Sequence, residues 1–161
     1  MRVIVFAAAL CVGLVPALAS AEVVKVTVAN RVTVAGGQAF GATGPYEKLT
    51  GSIEFALDPK DPHNARVTDL GRAPQEPWRW RGNIVYDAGA RVHFTSDMMV
   101  LRPTDPAKGN GVLLFEVINR GRLGLLDRFN SADGADDPMA AADFGNGFLM
   151  REGYTLVFVG W

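Results

Sequence analysis

The chain has 161 residues, 48% hydrophobic and 20% charged, with 16 basic side chains against 17 acidic ones. Its 18 glycines and 9 prolines fall below the range that marks low-complexity chains, so collagen-like, coiled-coil and disordered readings are out. A net charge of −1 gives no electrostatic drive toward nucleic acid or an anionic bilayer, and the length suffices for one ordinary domain with a real core.

The first segment reads as a leader rather than as part of the fold. Met1-Arg2 supplies a positive start, Val3 to Val15 runs without a charge, Pro16 breaks the run, and Ala19-Ser20-Ala21 precedes the first acid, Glu22. That order is a secretory signal peptide over residues 1–21 with an A-x-A cleavage site. The run is too short for a transmembrane helix, which needs about 20 apolar residues. Cys11, the only cysteine, lies inside the leader, so the exported chain would hold no disulfide, catalytic thiol or Cys-type zinc site. The expected location is a bacterial periplasm or the medium, with no membrane span after cleavage.

Residues 22–103 form a β-rich region. Val23 to Val28 alternates as a strand, and Arg31 to Val34 repeats the pattern before the Gly36-Gly37 turn. Phe40 to Tyr46 is a loop, and Lys48 to Leu57 a strand with Ile53, Phe55 and Leu57 at strict period two. Asp58 to Asn64 is a proline and aspartate turn region, and Ala65 to Leu70 reads as a short strand. Arg91 to Leu101 alternates again, with Val92, Phe94, Met98 and Val100 as inward candidates.

The character changes over 104–161. Val112 to Ile118 and Tyr154 to Val159 are almost wholly apolar, the mark of strands covered on both faces of a parallel sheet. Between them lie a polar loop with Asp133, Asp136 and Asp137, and a short helix, Gly147 to Glu152, capped by Asn146 and closed by Gly153. Strand, loop-plus-helix, strand makes a βαβ unit whose two strands run parallel. One short helix cannot cover both faces, so the unit reads as the incomplete start of a larger sheet. The competing reading packs both runs into the preceding β region as a complete sandwich. The predicted fold class is therefore mixed α/β, a β-rich N-terminal region leading into a first βαβ unit.

Candidate chemistry is sparse. Ser52, Ser96 and Ser131 sit in no G-x-S-x-G elbow, and no Ser-His-Asp set can be assigned. His93, on the polar parity of its strand, reads as solvent-facing. His63 follows two aspartates in a turn that is more simply structural than metal-binding. Gly109-Asn110-Gly111 and Gly145-Asn146-Gly147 complete no phosphate-loop motif and read as turns. Trp78 and Trp80 either stack on a planar ligand or cover a sheet. The most informative stretch is Asn119, Arg120 and Gly121, which follows the carboxyl end of a predicted buried strand, where open sheets place ligand crevices. It is either an oxyanion-side turn or an Arg-rich turn held by carboxylates such as Glu116. No cofactor and no metal is implied.

Five series in order carry a family resemblance: Gly44-Pro45-Tyr46-Glu47-Lys48-Leu49-Thr50-Gly51; Leu57-Asp58-Pro59 through Asn64-Ala65; Asp97-Met98-Met99-Val100-Leu101-Arg102-Pro103; Phe115-Glu116-Val117-Ile118-Asn119-Arg120-Gly121; and Gly147-Phe148-Leu149-Met150-Arg151-Glu152-Gly153-Tyr154 with the closing Gly160-Trp161. Over Phe40 to Trp161 the chain resembles the exported bacterial α/β-hydrolase domain-containing proteins. The resemblance implies the N-terminal part of a longer hydrolase of ester or amide bonds with a serine nucleophile and a small-molecule substrate. The nucleophile, acid and histidine would lie beyond residue 161, leaving this chain inactive by itself. The alternative is a complete secreted β-sandwich that binds a ligand without catalysis.

Overall fold

The computed structural model describes residues 21–73, 78–80, 83–85, 91–118 and 122–160, and among residues 78–90 the backbone only. Seven strands are described: β1 Ala21–Thr33, β2 Tyr46–Leu57, β3 Trp78–Trp80, β4 Asn83–Val85, β5 Val92–Pro103, β6 Leu113–Val117 and β7 Thr155–Val159. Two α-helices, α1 Gly124–Asn130 and α2 Phe148–Arg151, lie between β6 and β7. Five strands form one mixed sheet in the order β1-β2-β5-β7-β6, and β3 and β4 make a separate two-stranded hairpin.

This overturns the α/β prediction. The described chain is mostly β, with 39% strand against 25% helix, and its α-helices are only seven and four residues long. The sheet is antiparallel from β1 through β7, and only β6 and β7 pair in parallel, Leu114 opposite Leu156 and Glu116 opposite Phe158. The parallel pair is thus an appendix to an antiparallel sheet. Three long alternating strands, β1, β2 and β5, set the architecture because they pair over almost their whole lengths.

The predicted burial of the apolar runs is corrected as well. Along β6, Leu113, Phe115 and Val117 are 56%, 58% and 55% exposed, while Leu114 and Glu116 between them are half-buried. β6 is an edge strand covered on one face only. β7, held between β5 and β6, buries Leu156 and Phe158 completely. An apolar run marks a strand's composition, not the number of layers available to cover it.

The main core lies on one face. Leu101, Leu156 and Phe158 from the sheet meet Leu123, Leu126, Phe144, Leu149 and Met150 from the helical segment, all nearly inaccessible. Phe40 joins Tyr46 and Phe144 edge-on, with ring centroids 5.6 and 5.5 Å apart. Tyr46 Oη donates to Tyr154 O at 2.9 Å and Thr43 Oγ1 to Arg151 O at 2.9 Å, tying α2 and its exit to the start of β2. The inward face of β5 is therefore the Leu101 face. The predicted inward set, Val92, Phe94, Met98 and Val100, lies on the opposite face, where Val92 and Met98 are buried and Phe94 is 42% exposed.

Local chemistry explains the elements. β1 is one strand, not two, with irregular register between Val23 and Lys25 and between Val28 and Asn30. At the second irregularity Thr27 O lies 1.8 Å from where a Cβ on residue 51 would sit, so only glycine fits at Gly51. The helix α1, absent from the sequence prediction, is capped from outside: Glu116 accepts from Gly124 N and Leu125 N at 3.1 and 3.0 Å, placing a carboxylate at the helix start. The helix α2 follows expectation, Asn146 Oδ1 accepting from Phe148 N at 2.8 Å and Gly153 taking φ 75° beyond its end. Ala65 to Leu70 forms turns instead of the predicted strand.

Candidate functional site: a cleft at the carboxyl end of the parallel pair

β6 and β7 end at Val117 and Val159, and the residues that follow them, Ile118 and Gly160, lie at the same end of the sheet. Ile118 N donates to Val159 O and Gly160 N to Asp97 O, both at 2.9 Å, fastening the two strand ends to each other and to β5. At this end a cleft of about 390 Å³ opens on the helix-covered face, lined by Thr27, Thr50, Ser52, Asp97, Met99 and Ile118. Pairing delivers these side chains: Ser52 stands opposite Asp97 across β2 and β5, and Thr27 opposite Ser52 across β1 and β2.

The cleft joins three hydroxyls and one carboxylate above an apolar floor. Thr50 Oγ1 accepts from Asn30 Nδ2 at 3.4 Å. The Asp97 carboxylate is exposed and forms no ion pair with any described residue. A carboxylate without a cationic partner among the described residues, beside hydroxyls that both donate and accept, is suited to hold hydroxyl or amide groups of a small molecule. Nucleophilic chemistry is another matter. No described serine hydrogen-bonds a histidine: Ser96 Oγ donates to Gly160 O, and Ser131 occupies the left-handed position that ends α1. None of the described serines is an activated nucleophile.

About 13 Å further along β5, four residues from Asp97, is a pair the sequence reading missed. His93, expected to face solvent, has a side chain only 6% exposed, and its Nδ1 lies 3.2 Å from Glu54 Oε1, itself 10% exposed. Parity assigns His93 to a face but does not tell which face is covered, and its partner is 39 residues away. Thr95, between His93 and Asp97, has a buried hydroxyl without a hydrogen-bond partner among the described residues.

Asn119, Arg120 and Gly121 lie outside the described residues, as do residues 1–20 of the expected leader over 1–21. The cleft reaches Ile118, immediately before that turn. Glu116, considered as a holder of the Arg-rich turn, commits both carboxylate oxygens to the start of α1. Trp78 and Trp80 sit on the described backbone of the hairpin, but their side chains fall outside the described set. His63 Nδ1 is 2.8 Å from Asp61 Oδ1, which also accepts from His63 N at 2.9 Å. These bonds hold the Asp61 carboxyl below the usual aspartate range, the backbone bond foremost. No group of three or more His, Cys, Asp or Glu poised for a metal occurs among the described residues.

No described helix is long and apolar enough to cross a membrane. Comparison with protein-family models, curated proteins and solved structures finds no match for this chain.

Proposed function

We propose that this chain is the substrate-holding part of an exported hydrolase of ester or amide bonds, one whose serine nucleophile it does not itself supply. The observation that carries the reading is the cleft at the carboxyl end of β6 and β7, mostly apolar but edged by hydroxyls and one carboxylate. Its Asp97 carboxylate, without an ion pair among the described residues, and its Ser52, Thr50 and Thr27 hydroxyls offer a binding surface next to residue 118. The ordered resemblance to exported hydrolases, including the series that ends in Asn119, Arg120 and Gly121, supports the same assignment. In this reading those three residues border the oxyanion side of the bound substrate, and Asp97 and the hydroxyls orient its polar portion. The leader sequence supports export to a periplasm or the medium.

A second reading, a secreted ligand-binding module without catalysis, draws on one observation: the described residues hold no nucleophile paired with a base. The two readings part on substrate chemistry. The chain alone, incubated with p-nitrophenyl esters of short acids, is expected to release no nitrophenolate above a blank while still binding the ester. Turnover above the blank would place a nucleophile within these residues and overturn the proposal. Binding of free sugars but of no ester or amide would favour the second reading.

A further inference from the structure

Strand pairing sets the one carboxylate of the cleft at the end of a row of hydroxyls. Asp97 stands opposite Ser52, and Ser52 opposite Thr27, so the three side chains cross three adjacent strands on the helix-covered face. Side chains paired in this way have Cβ atoms about 4.5–5.5 Å apart. Met99 and Ile118 give the cleft its apolar floor. The charge of the lining is one-sided, because the exposed Asp97 carboxylate has no ion pair among the described residues. Glu54, the next acid on that face of β2, lies 3.2 Å from His93. Lys48, two residues from Thr50 on the same face, is held by Asp137 at 2.5 Å. Lys25 stands opposite Glu54 and does not line the cleft.

We propose that the cleft selects esters or amides whose acyl part carries a protonated amino group, with that ammonium seated on Asp97. The inference rests on the hydrolase reading and names its substrate class. An ammonium has three donors and no acceptor, and Asp97 with the Ser52 and Thr27 hydroxyls offers it acceptors from two neighbouring strands of the sheet and a third beyond them. A metal ion is the weaker occupant, since no group of three or more His, Cys, Asp or Glu converges among the described residues. Sheet order fixes how far the amino group lies from the scissile bond. β7 is between β5 and β6, and the bonds from Gly160 N to Asp97 O and from Ile118 N to Val159 O put Asp97 and Ile118 at one level of the sheet. Two strand spacings, roughly 10 Å, therefore separate their backbones. The Asp97 side chain and a charge-assisted hydrogen bond of about 2.8 Å occupy much of that span. Few atoms remain between the amino group and a carbonyl beside residue 118, as in the ester or amide of an amino acid. A neutral amide N–H in the same place offers one donor and no charge. The added attraction of an ammonium in contact with a hydrated carboxylate is worth about tenfold in affinity.

The test is titration of the labelled full chain with alanine p-nitroanilide and with N-acetylalanine p-nitroanilide, each followed by amide shifts at Ser52, Asp97 and Ile118. At about pH 6.5 an α-amino group, with a pKa of about 8, is charged. The free amine should then bind about tenfold more tightly than the acetylated ligand. That advantage should fade as pH rises through about 8, while binding of the acetylated ligand stays level. It should also vanish in Asp97→Asn, which keeps an acceptor but no charge; unchanged far-ultraviolet circular dichroism would show that this variant keeps the fold. Equal binding of the two ligands would overturn the inference and leave the hydrolase reading standing. Failure of both ligands to shift the cleft would remove that reading and the inference with it. A preference for the free amine that survives in Asp97→Asn, or above the pH at which the amine is neutral, would also overturn the inference.

Discussion

Asn130 is the polar centre of the helical layer, and its removal gives the sharpest test of how that layer is held. The side chain is wholly buried; its Nδ2 donates to Phe144 O at 3.0 Å and lies 3.1 Å from Met150 Sδ, while its Oδ1 accepts from Leu149 N at 2.9 Å. Leu149 is in the first turn of α2, so its N–H has no partner within the helix, and Asn130 caps it from a distance of 19 residues. Gly145 permits this approach: a Cβ there would lie 2.3 Å from Asn130 O. Asn130→Ala leaves a buried donor and a buried acceptor unsatisfied, each costing about 1–3 kcal/mol. With a small cavity contributing further, the expected loss is about 4 kcal/mol, a large part of the ~5–15 kcal/mol typical of a domain. Urea unfolding followed by circular dichroism reads it as a lower midpoint at unchanged slope. Asn130→Asp keeps the acceptor for Leu149 but loses the donors. Burial raises the new carboxyl above its unfolded value, so its folded form is stabilised by protonation, and the variant should lose stability as pH rises from about 4 to 7. A loss below about 1 kcal/mol for Asn130→Ala would refute the account of a single polar hub.

Other consequences follow from individual contacts. Gly51→Ala should detach β1 around Thr27, seen as accelerated amide exchange confined to β1 and the middle of β2. Tyr46→Phe should cost about 1 kcal/mol through loss of the bond to Tyr154 O. Burial holds the Tyr46 phenol above its ordinary value, so its contribution persists below about pH 10 and is lost as pH rises beyond it; phenolate absorbance should appear only with unfolding. Asp61 should titrate below an ordinary aspartate in a carboxyl-carbon NMR titration. His63→Ala should recover only part of that shift, because the backbone bond, the larger cause, remains. Its support for the local turn is present above the ordinary aspartate value and lost as pH falls through the depressed one.

Much of the sheet was legible because its chemistry is local. Alternation in Val23 to Val28, Ile53 to Leu57 and Arg91 to Leu101 reports strands directly, and the break between the two apolar runs is long enough for a parallel return, which β6 and β7 make. Asn146 and Gly153 framed α2 because caps act within a few residues. Layering was not legible. Leu113, Phe115 and Val117 look like core residues in sequence, and only the absence of a covering layer among the described residues leaves them bare. The helix α1 escaped because it spans just two turns and takes its cap from Glu116, eight residues upstream. The cleft escaped for the same kind of reason: Thr27, Ser52 and Asp97 are brought together by register, and no motif within a window links them. The His93 and Glu54 pair is likewise a cross-strand fact.

Chemical-shift mapping of the labelled chain with the p-nitrophenyl ester of N-acetylalanine, whose amide N–H gives the Asp97 carboxylate a donor to accept from, tests the central claim most directly. The account predicts shifts concentrated at Thr50, Ser52, Asp97 and Ile118, no release of nitrophenolate, and at least tenfold weaker binding in Asp97→Ala. Shifts that avoid this end of the sheet, or binding indifferent to Asp97→Ala, would contradict it.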